Sequence, residues 1–293
     1  MSWFRTLGWM SVWLSGIGLL GHSPWTRTLR SEEANDPPAP VAAKSPLATY
    51  LSVGSTVSEK VQAKVLSAAR TLQQRAEQEG RTAFLILEIG PGSSRFGSIR
   101  DLAKELTSAK FGSLRTIAWV PEPKDKKRID GYNVILALAC KEIVMHPDAE
   151  LGDIGRGKAL DAEEQQFVLS LVDKRLNPKL SSALVSGLMD PQKTVLKVKL
   201  ESEADGRKSS ESRVLTSDEH RLLLDNKVVV QDVITIKDAG VLGFFSGSRA
   251  RALDVLVSQT AETRSDLADL YNFPREFLRE NATSGEALRV VRI

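Results

Sequence analysis

Asp130-Gly-Tyr-Asn-Val-Ile-Leu-Ala-Leu-Ala-Cys-Lys-Glu-Ile-Val-Met145 is an apolar segment entered through a glycine and followed by His146-Pro147. It reads as a buried helix over about Tyr132 to Ala139, running into a short strand, Ile143–Met145. Upstream the same rhythm repeats. Ala83–Ile89 is a continuous apolar run bounded by Gly80 and Gly90-Pro-Gly92. Such a run suits a strand covered on both faces, as in a parallel sheet. Before it, Thr49–Val53 is a strand candidate. Ser58 can cap a helix that places Val61, Val65, Ala68, Ala69 and Leu72 on one face and stops at Gly80. After it come a helix over Ser98–Ala109 and a strand over Arg115–Val120, ended by Pro121-Glu-Pro123. Strands alternating with helices at this spacing predict an α/β fold with right-handed crossovers.

Beyond Met145 the pattern is looser. A helix is expected over Asp161–Leu176, an alternating strand over Thr194–Leu200 and a loose polar hairpin loop over Glu201–Arg213. Val228–Val233 adds a strand, Thr235–Gly243 reads as a short capped helix and Arg249–Val257 as a further helix. Leu288–Ile293 is a strand pattern for which no partner remains in the chain, as at the opening of another domain. No internal repeat is visible.

Composition is that of a globular protein, with 42% apolar and 26% charged residues. Forty basic against 37 acidic side chains leave a net charge of +3, and no basic run interleaves with aromatics, so nucleic acid is not an expected partner. The single Cys140 cannot form an intramolecular disulfide and lies in an apolar run, where a buried inert thiol is expected. With one cysteine and three separated histidines, His22, His146 and His220, no transition-metal site is expected. Arg5 precedes an uncharged run, Thr6 to Gly21, rich in Trp and Leu, which is the layout of a secretory leader. Such a helix rises only about 24 Å, short of the roughly 30 Å hydrocarbon core. The organisation expected is a signal peptide or short membrane anchor over 1–24, a Pro/Ala-rich linker over 25–47, the α/β domain over 48–260 and a C-terminal helix and strand over 261–293. Export to the periplasmic or extracytoplasmic face of a membrane follows from the leader.

The segment Phe84-Leu-Ile-Leu-Glu-Ile-Gly-Pro-Gly-Ser-Ser94 resembles the apolar strand and Asp-Thr-Pro-Gly-Gly element of NfeD- and SppA-type membrane-associated serine proteases. Ser98–Ala109, Arg115–Val120, Gly131–Met145 and Pro147–Gly155 follow in the family's order, and Thr235–Gly243 is similar to its later Ala/Glu-rich helix. The resemblance covers about Thr49 to Val257. It implies the ClpP/crotonase-like fold of repeated ββα units.

In that family the helix opens on a small-Ser-small-Gly turn, and the serine position corresponds here to Gly131. A serine attacks a peptide carbonyl only when a base takes its proton, and the oxyanion needs free N–H donors. Glycine has no side chain to attack with, and no serine lies between Ser113 and Ser170. The resemblance places an oxyanion or peptide-binding turn at Gly90, Pro91, Gly92 and Ser93. Ser93 replaces the second glycine there and, if it needs φ > 0, would misshape the hole. Candidate bases are Lys158 and Lys174; the solvated side of a helix is the plainer reading for Lys174. A ClpP-type histidine is absent near Ile154, a structural role is expected for His146, and His220 belongs to a helix start capped by Ser217 or Thr216.

The reading that follows is an exported, membrane-associated relative of these proteases, without its own nucleophile. It would bind an extended peptide or membrane-protein segment as a scaffold, with no cofactor. One alternative is a serine endopeptidase completed in trans by a second domain or subunit that supplies the serine; a second ClpP-like domain or a homo-oligomer is a candidate partner. Another is an acyl-CoA-binding crotonase-like enzyme, disfavoured by the leader and by the lack of placed acid/base carboxylates.

Overall fold

A computed structural model describes residues 45–122, 127–174, 176–204, 207–273 and 291–292. The Thr6–Gly21 run and the linker up to residue 44 lie outside them. Among the described residues no helix is long and apolar enough to cross a membrane.

The first half is a regular β–α alternation: β1 Leu47–Val53, α1 Glu59–Glu79, β2 Ala83–Ile89, α2 Phe96–Leu106, β3 Arg115–Val120, α3 Asn133–Leu138, β4 Glu142–Met145. Local signals fix the first helix. Ser58 accepts the Val61 N–H, Gly80 ends α1 at φ 62°, and Val61, Val65, Ala69, Leu72 and Ala76 form its buried face. Then follow β5 Glu150–Gly152, α4 Ala162–Asp173, α5 Ser182–Met189, β6 Val195–Ala204, β7 Arg207–Thr216, α6 Ser217–Asp225, β8 Val230–Lys237, β9 Phe244–Ser246, α7 Gly247–Ala252, β10 Gln259–Thr260, α8 Arg264–Leu270 and β11 Val291–Arg292.

The main sheet has six strands in the order β10-β4-β3-β2-β1-β11, and every pairing in it is parallel. Mixed α/β architecture with a parallel sheet is therefore the fold class. A ββα unit stands in β4–β5–α4. Successive residues of the strands feed two different cores. Leu51, Leu85, Leu87, Ala118 and Val120 join the large cluster with α1, α2 and α3. Tyr50, Phe84, Ile86, Ile117 and Trp119 face the other way, onto Ala261, Leu267, Ala268 and Phe273. Crossovers of one hand between strands laid down in one direction put all three helices on one face. The other face is left for α8.

Three expectations are corrected. Glu201–Arg213 is not a loose loop: β6 and β7 pair antiparallel from Val195↔Thr216 to Ala204↔Arg207. Thr235–Gly243 is not a helix; Thr235–Lys237 continue β8, and Gly240 turns at φ +82°. The β-branched run Val233-Ile-Thr-Ile236 favours the strand, which the helix-like tail Asp238–Gly243 obscured. Helix α5 was missed because Ser182–Met189 is buried at six of eight positions and carries no amphipathic period. The strand pattern at the C-terminus does have a partner: Val291 and Arg292 pair parallel with Leu51 and Ser52.

A small antiparallel sheet, order β7-β6-β8, stands apart with its own cluster of Leu196, Val198 and Leu200 under α6. Thr216 caps α6 in a full capping box with Glu219, as one of the two sequence candidates.

Candidate functional site

The site region lies where β2 and β3 end and α3 begins, at the C-terminal edge of the parallel sheet. Ligands of open α/β sheets gather at that edge. The β2 exit turn is bound tightly to the loop after β1. A Cβ on Gly92 would lie 1.7 Å from the Ser55 carbonyl oxygen, so glycine is required there by close approach. The Ser93 N–H donates to that same Ser55 carbonyl at 2.8 Å. Ser93 does not adopt a left-handed φ. The condition for a misshapen turn, φ > 0 at residue 93, is not met, and the Ser93 amide is unavailable to an oxyanion because Ser55 already holds it. Beneath the turn, the buried Ser94 hydroxyl donates to Asn133 Oδ1 at 2.5 Å and accepts the Val57 N–H at 2.9 Å. Asn133 Nδ2 donates to the carbonyls of Ser55 and Gly90, each at 3.4 Å. Buried polar groups here are partnered, as burial demands.

Gly131 opens the turn into α3 at φ +66°, with its N–H donated to the Asp153 carbonyl at 3.1 Å. A Cβ built on it would meet Arg156 Nε at 2.8 Å and Cζ at 3.0 Å. The Arg156 guanidinium occupies the space into which any side chain at 131 would project. Its Nε donates to Asp130 Oδ1 at 3.0 Å and its Nη2 to the Gly92 carbonyl at 2.6 Å, tying the β2 turn to the α3 entry. Arg156 is itself left-handed at φ 53°, as is the buried Asp153 at φ 45°. Such backbone persists only where neighbours over-determine it. Asp153 does so here: its carbonyl also accepts the Arg156 N–H, its Oδ1 accepts the Gly157 N–H, and its own N–H reaches the Gly243 carbonyl. Arg156 was not singled out from the sequence. Its flanking Gly155 and Gly157, with Asp130 as the available counter-charge, were the only signal.

The candidate bases are elsewhere or unconstrained. Lys174 Nζ donates to Thr107 Oγ1 at 2.6 Å, beyond the C-terminus of α2, while the Gly90–Ser94 turn precedes that helix's start. Eleven residues of helix separate the two ends by about 16 Å. Burial, then the nearby Lys104, pulls the Lys174 pKa below the ordinary lysine value. Lys158 is exposed in the turn after Arg156. His146 accepts the Asp148 N–H on Nδ1, a turn-forming contact. Cys140 is fully buried, and desolvation pushes its thiol up to about 12.

No family model and no curated protein matches this chain. Among solved structures, a serine-to-alanine mutant of the 1510-N membrane-bound stomatin-specific protease overlays 85% of this chain and 99% of its own, at TM-score 0.47 and 8% identity. A lysine-to-alanine mutant of that protease in complex with a substrate peptide gives 0.44 at 11% identity, over 85% of this chain and 93% of that one. The 1510-N protease specific for a stomatin homolog from Pyrococcus horikoshii gives 0.41 at 11% identity, with the same coverage. The overlay is loose. At these scores it assigns no role to any residue here.

Beside Gly90–Pro91 runs a cleft of about 170 Å³, lined by Ile89, Pro91, Val120, Pro121, Ile129 and Ala149 together with the charged Glu88, Glu122, Lys127 and Glu150. Ile129 is strand-paired to β5: its N–H donates to the Glu150 carbonyl and its carbonyl accepts the Gly152 N–H. In an extended backbone alternate residues turn their polar groups to opposite sides. The main-chain groups of Arg128 and Asp130 therefore point away from β5.

Proposed function

We propose that this chain is a non-catalytic peptide-binding domain related to the ClpP/SppA class of serine proteases, with the former nucleophile position sealed by Arg156. The observation that carries this reading is the guanidinium at 2.8 Å from a Cβ at Gly131, held on both sides by Asp130 and the Gly92 carbonyl. The Ser93 amide is used, residue 131 has no nucleophile, and the adjoining Asp130 carboxylate is paired to Arg156, so neither half of acyl-transfer chemistry is supplied. The cleft, mixed apolar and charged, has an extended segment along one wall and suits a peptide added as a strand, its main chain bonded to Arg128 and Asp130 and its alternate side chains in the pocket. Export and membrane association rest on the leader-like N-terminus alone and belong to the same proposal.

The test uses the intact protein and a set of extended apolar peptides. A fluorophosphonate probe is expected to label nothing. Fluorescence anisotropy is expected to register peptide binding that is lost when alternate peptide nitrogens are methylated. Covalent labelling of any serine would overturn the non-catalytic claim, and equal binding of methylated and unmodified peptides would overturn strand addition.

A further inference from the structure

Arg156 does more than fill the space over residue 131. The cleft is lined by Gly90 and Pro91 of the β2 exit turn and by Ile129 of the segment before α3. One residue further along these two segments stand Gly92 and Asp130, and Arg156 bridges them. Its Nη2 donates to the Gly92 carbonyl at 2.6 Å and its Nε to Asp130 Oδ1 at 3.0 Å. The guanidinium therefore stands across this end of the cleft. The extended run paired with β5 stops at the same place, because Gly131 turns at φ +66° and gives its N–H to the Asp153 carbonyl. Nε and Nη2 are thus engaged. Nη1 has no partner among the described residues, and the side chain is 47% exposed.

A guanidinium pinned through Nε and Nη2 holds its Nη1 donors in a fixed direction, and donors ordered in advance take a carboxylate with little further loss of freedom. Local charge points the same way. Lys158, in the turn that carries Arg156, and Arg95, at the start of α2, are exposed and form no ion pair among the described residues. Arg156, Lys158 and Arg95 thus stand against Asp130 and the buried Asp153. Inside the cleft the balance is reversed, with Lys127 among Glu88, Glu122 and Glu150. A ligand carboxylate is disfavoured along the lining and drawn to Arg156. We propose that Arg156 is the docking point for a peptide carboxylate, presented by the C-terminal end of a chain lying in the cleft. This rests on the reading of the cleft as a peptide site and adds to it a ligand class and a direction. The chain runs with its C-terminus toward Gly131 and ends there, because the guanidinium stands in its path. Strand addition supplies affinity along the chain, and the Nη1 donors select a chain end over an interior segment. The group that seals the former nucleophile position thereby sets which peptides fit.

The test measures fluorescence anisotropy of one extended apolar peptide on the intact protein, in three forms: the free C-terminal acid, the C-terminal amide, and an amide whose last residue is glutamate. The acid is expected to bind about tenfold more tightly than the amide, the scale of one charge-assisted hydrogen bond. Added salt is expected to erode that difference. The glutamyl amide is expected to bind like the plain amide. Arg156→Asn removes the guanidinium while keeping a residue type that accepts the left-handed backbone at φ 53°. It is expected to bind acid and amide equally, whereas Lys158→Gln is expected to keep the preference for the acid. Equal binding of acid and amide by the wild-type chain overturns the carboxylate site and leaves strand addition standing; binding of none of the three forms overturns both. A preference that persists in Arg156→Asn, or is lost in Lys158→Gln, overturns the assignment to Arg156. A glutamyl amide as tight as the acid overturns the assignment to the chain end.

Discussion

The β2–α3 junction and the β6–β8 sheet stand at opposite extremes of polar and apolar accounting within one chain. At the junction the Ser93 amide, the Ser94 hydroxyl, the Asn133 amide and the Arg156 guanidinium each have a protein partner. In the small sheet the polar face is unremarkable and the apolar side chains are the ones left over, Val229, Val233 and Ile234 among them. A closed polar network holds a shape and leaves little to recruit a reactant. An open apolar edge holds little by itself and gains by being covered. The first is where the resemblance would set a nucleophile and binding alone is proposed; the second attracted no expectation of function at all.

The sharpest way to break this contrast is through stability. Ile86 is fully buried between the sheet and α8, so Ile86→Ala is expected to cost about 2–5 kcal/mol in chemical denaturation. Val229→Ala at the exposed edge is expected to fall within about 0.5 kcal/mol. Equal losses at the two positions would erase the distinction. A smaller effect tests the junction itself. Gly131→Ser forces a side chain onto a left-handed backbone and against Arg156, at an expected cost of about 1–3 kcal/mol. Removing the guanidinium in a Gly131→Ser/Arg156→Ala double variant should return part of that loss. Full additivity of the two substitutions would show that Arg156 does not fill the space over residue 131.

The smallest effect concerns pH. The Tyr132 hydroxyl donates to Glu164 at 2.7 Å, linking the α3 entry to α4. That bond, then burial and the carboxylate's charge, pushes the phenol up to about 12 from its usual 10. The native phenol keeps its proton longer than the unfolded one, so its contribution is intact below about pH 10 and is lost as pH climbs toward 12. The difference in phenolate absorbance between wild type and Tyr132→Phe should appear late in an alkaline titration. An onset at the ordinary tyrosine value would remove the link.

What the sequence made legible divides along the same line. Runs such as Ala83–Ile89 are apolar on both faces, and Ser58 and Gly80 bracket α1 with local chemistry, so the parallel half was readable residue by residue. Gly131 was readable too, because an absent side chain is visible in one dimension. Arg156 was not: its role depends on a loop held by Asp153, Gly243 and the end of α5, which are far apart in the chain. The true reason for glycine at 92 was hidden similarly, since Ser55 lies on another strand's exit. Beyond residue 190 the strands alternate and bulge, and turn chemistry after Ile236 imitates a helix.

In the main sheet β1, β2, β3 and β4 sit side by side in the order in which they occur in the chain. Each new strand therefore finds its neighbour already laid down, across a single helical crossover. Assembly can proceed from the N-terminal side as the chain emerges, without waiting for distant partners, and low sequence separation between contacts favours rapid folding. Only β10 and β11, which close the two flanks, must wait for the last third of the polypeptide.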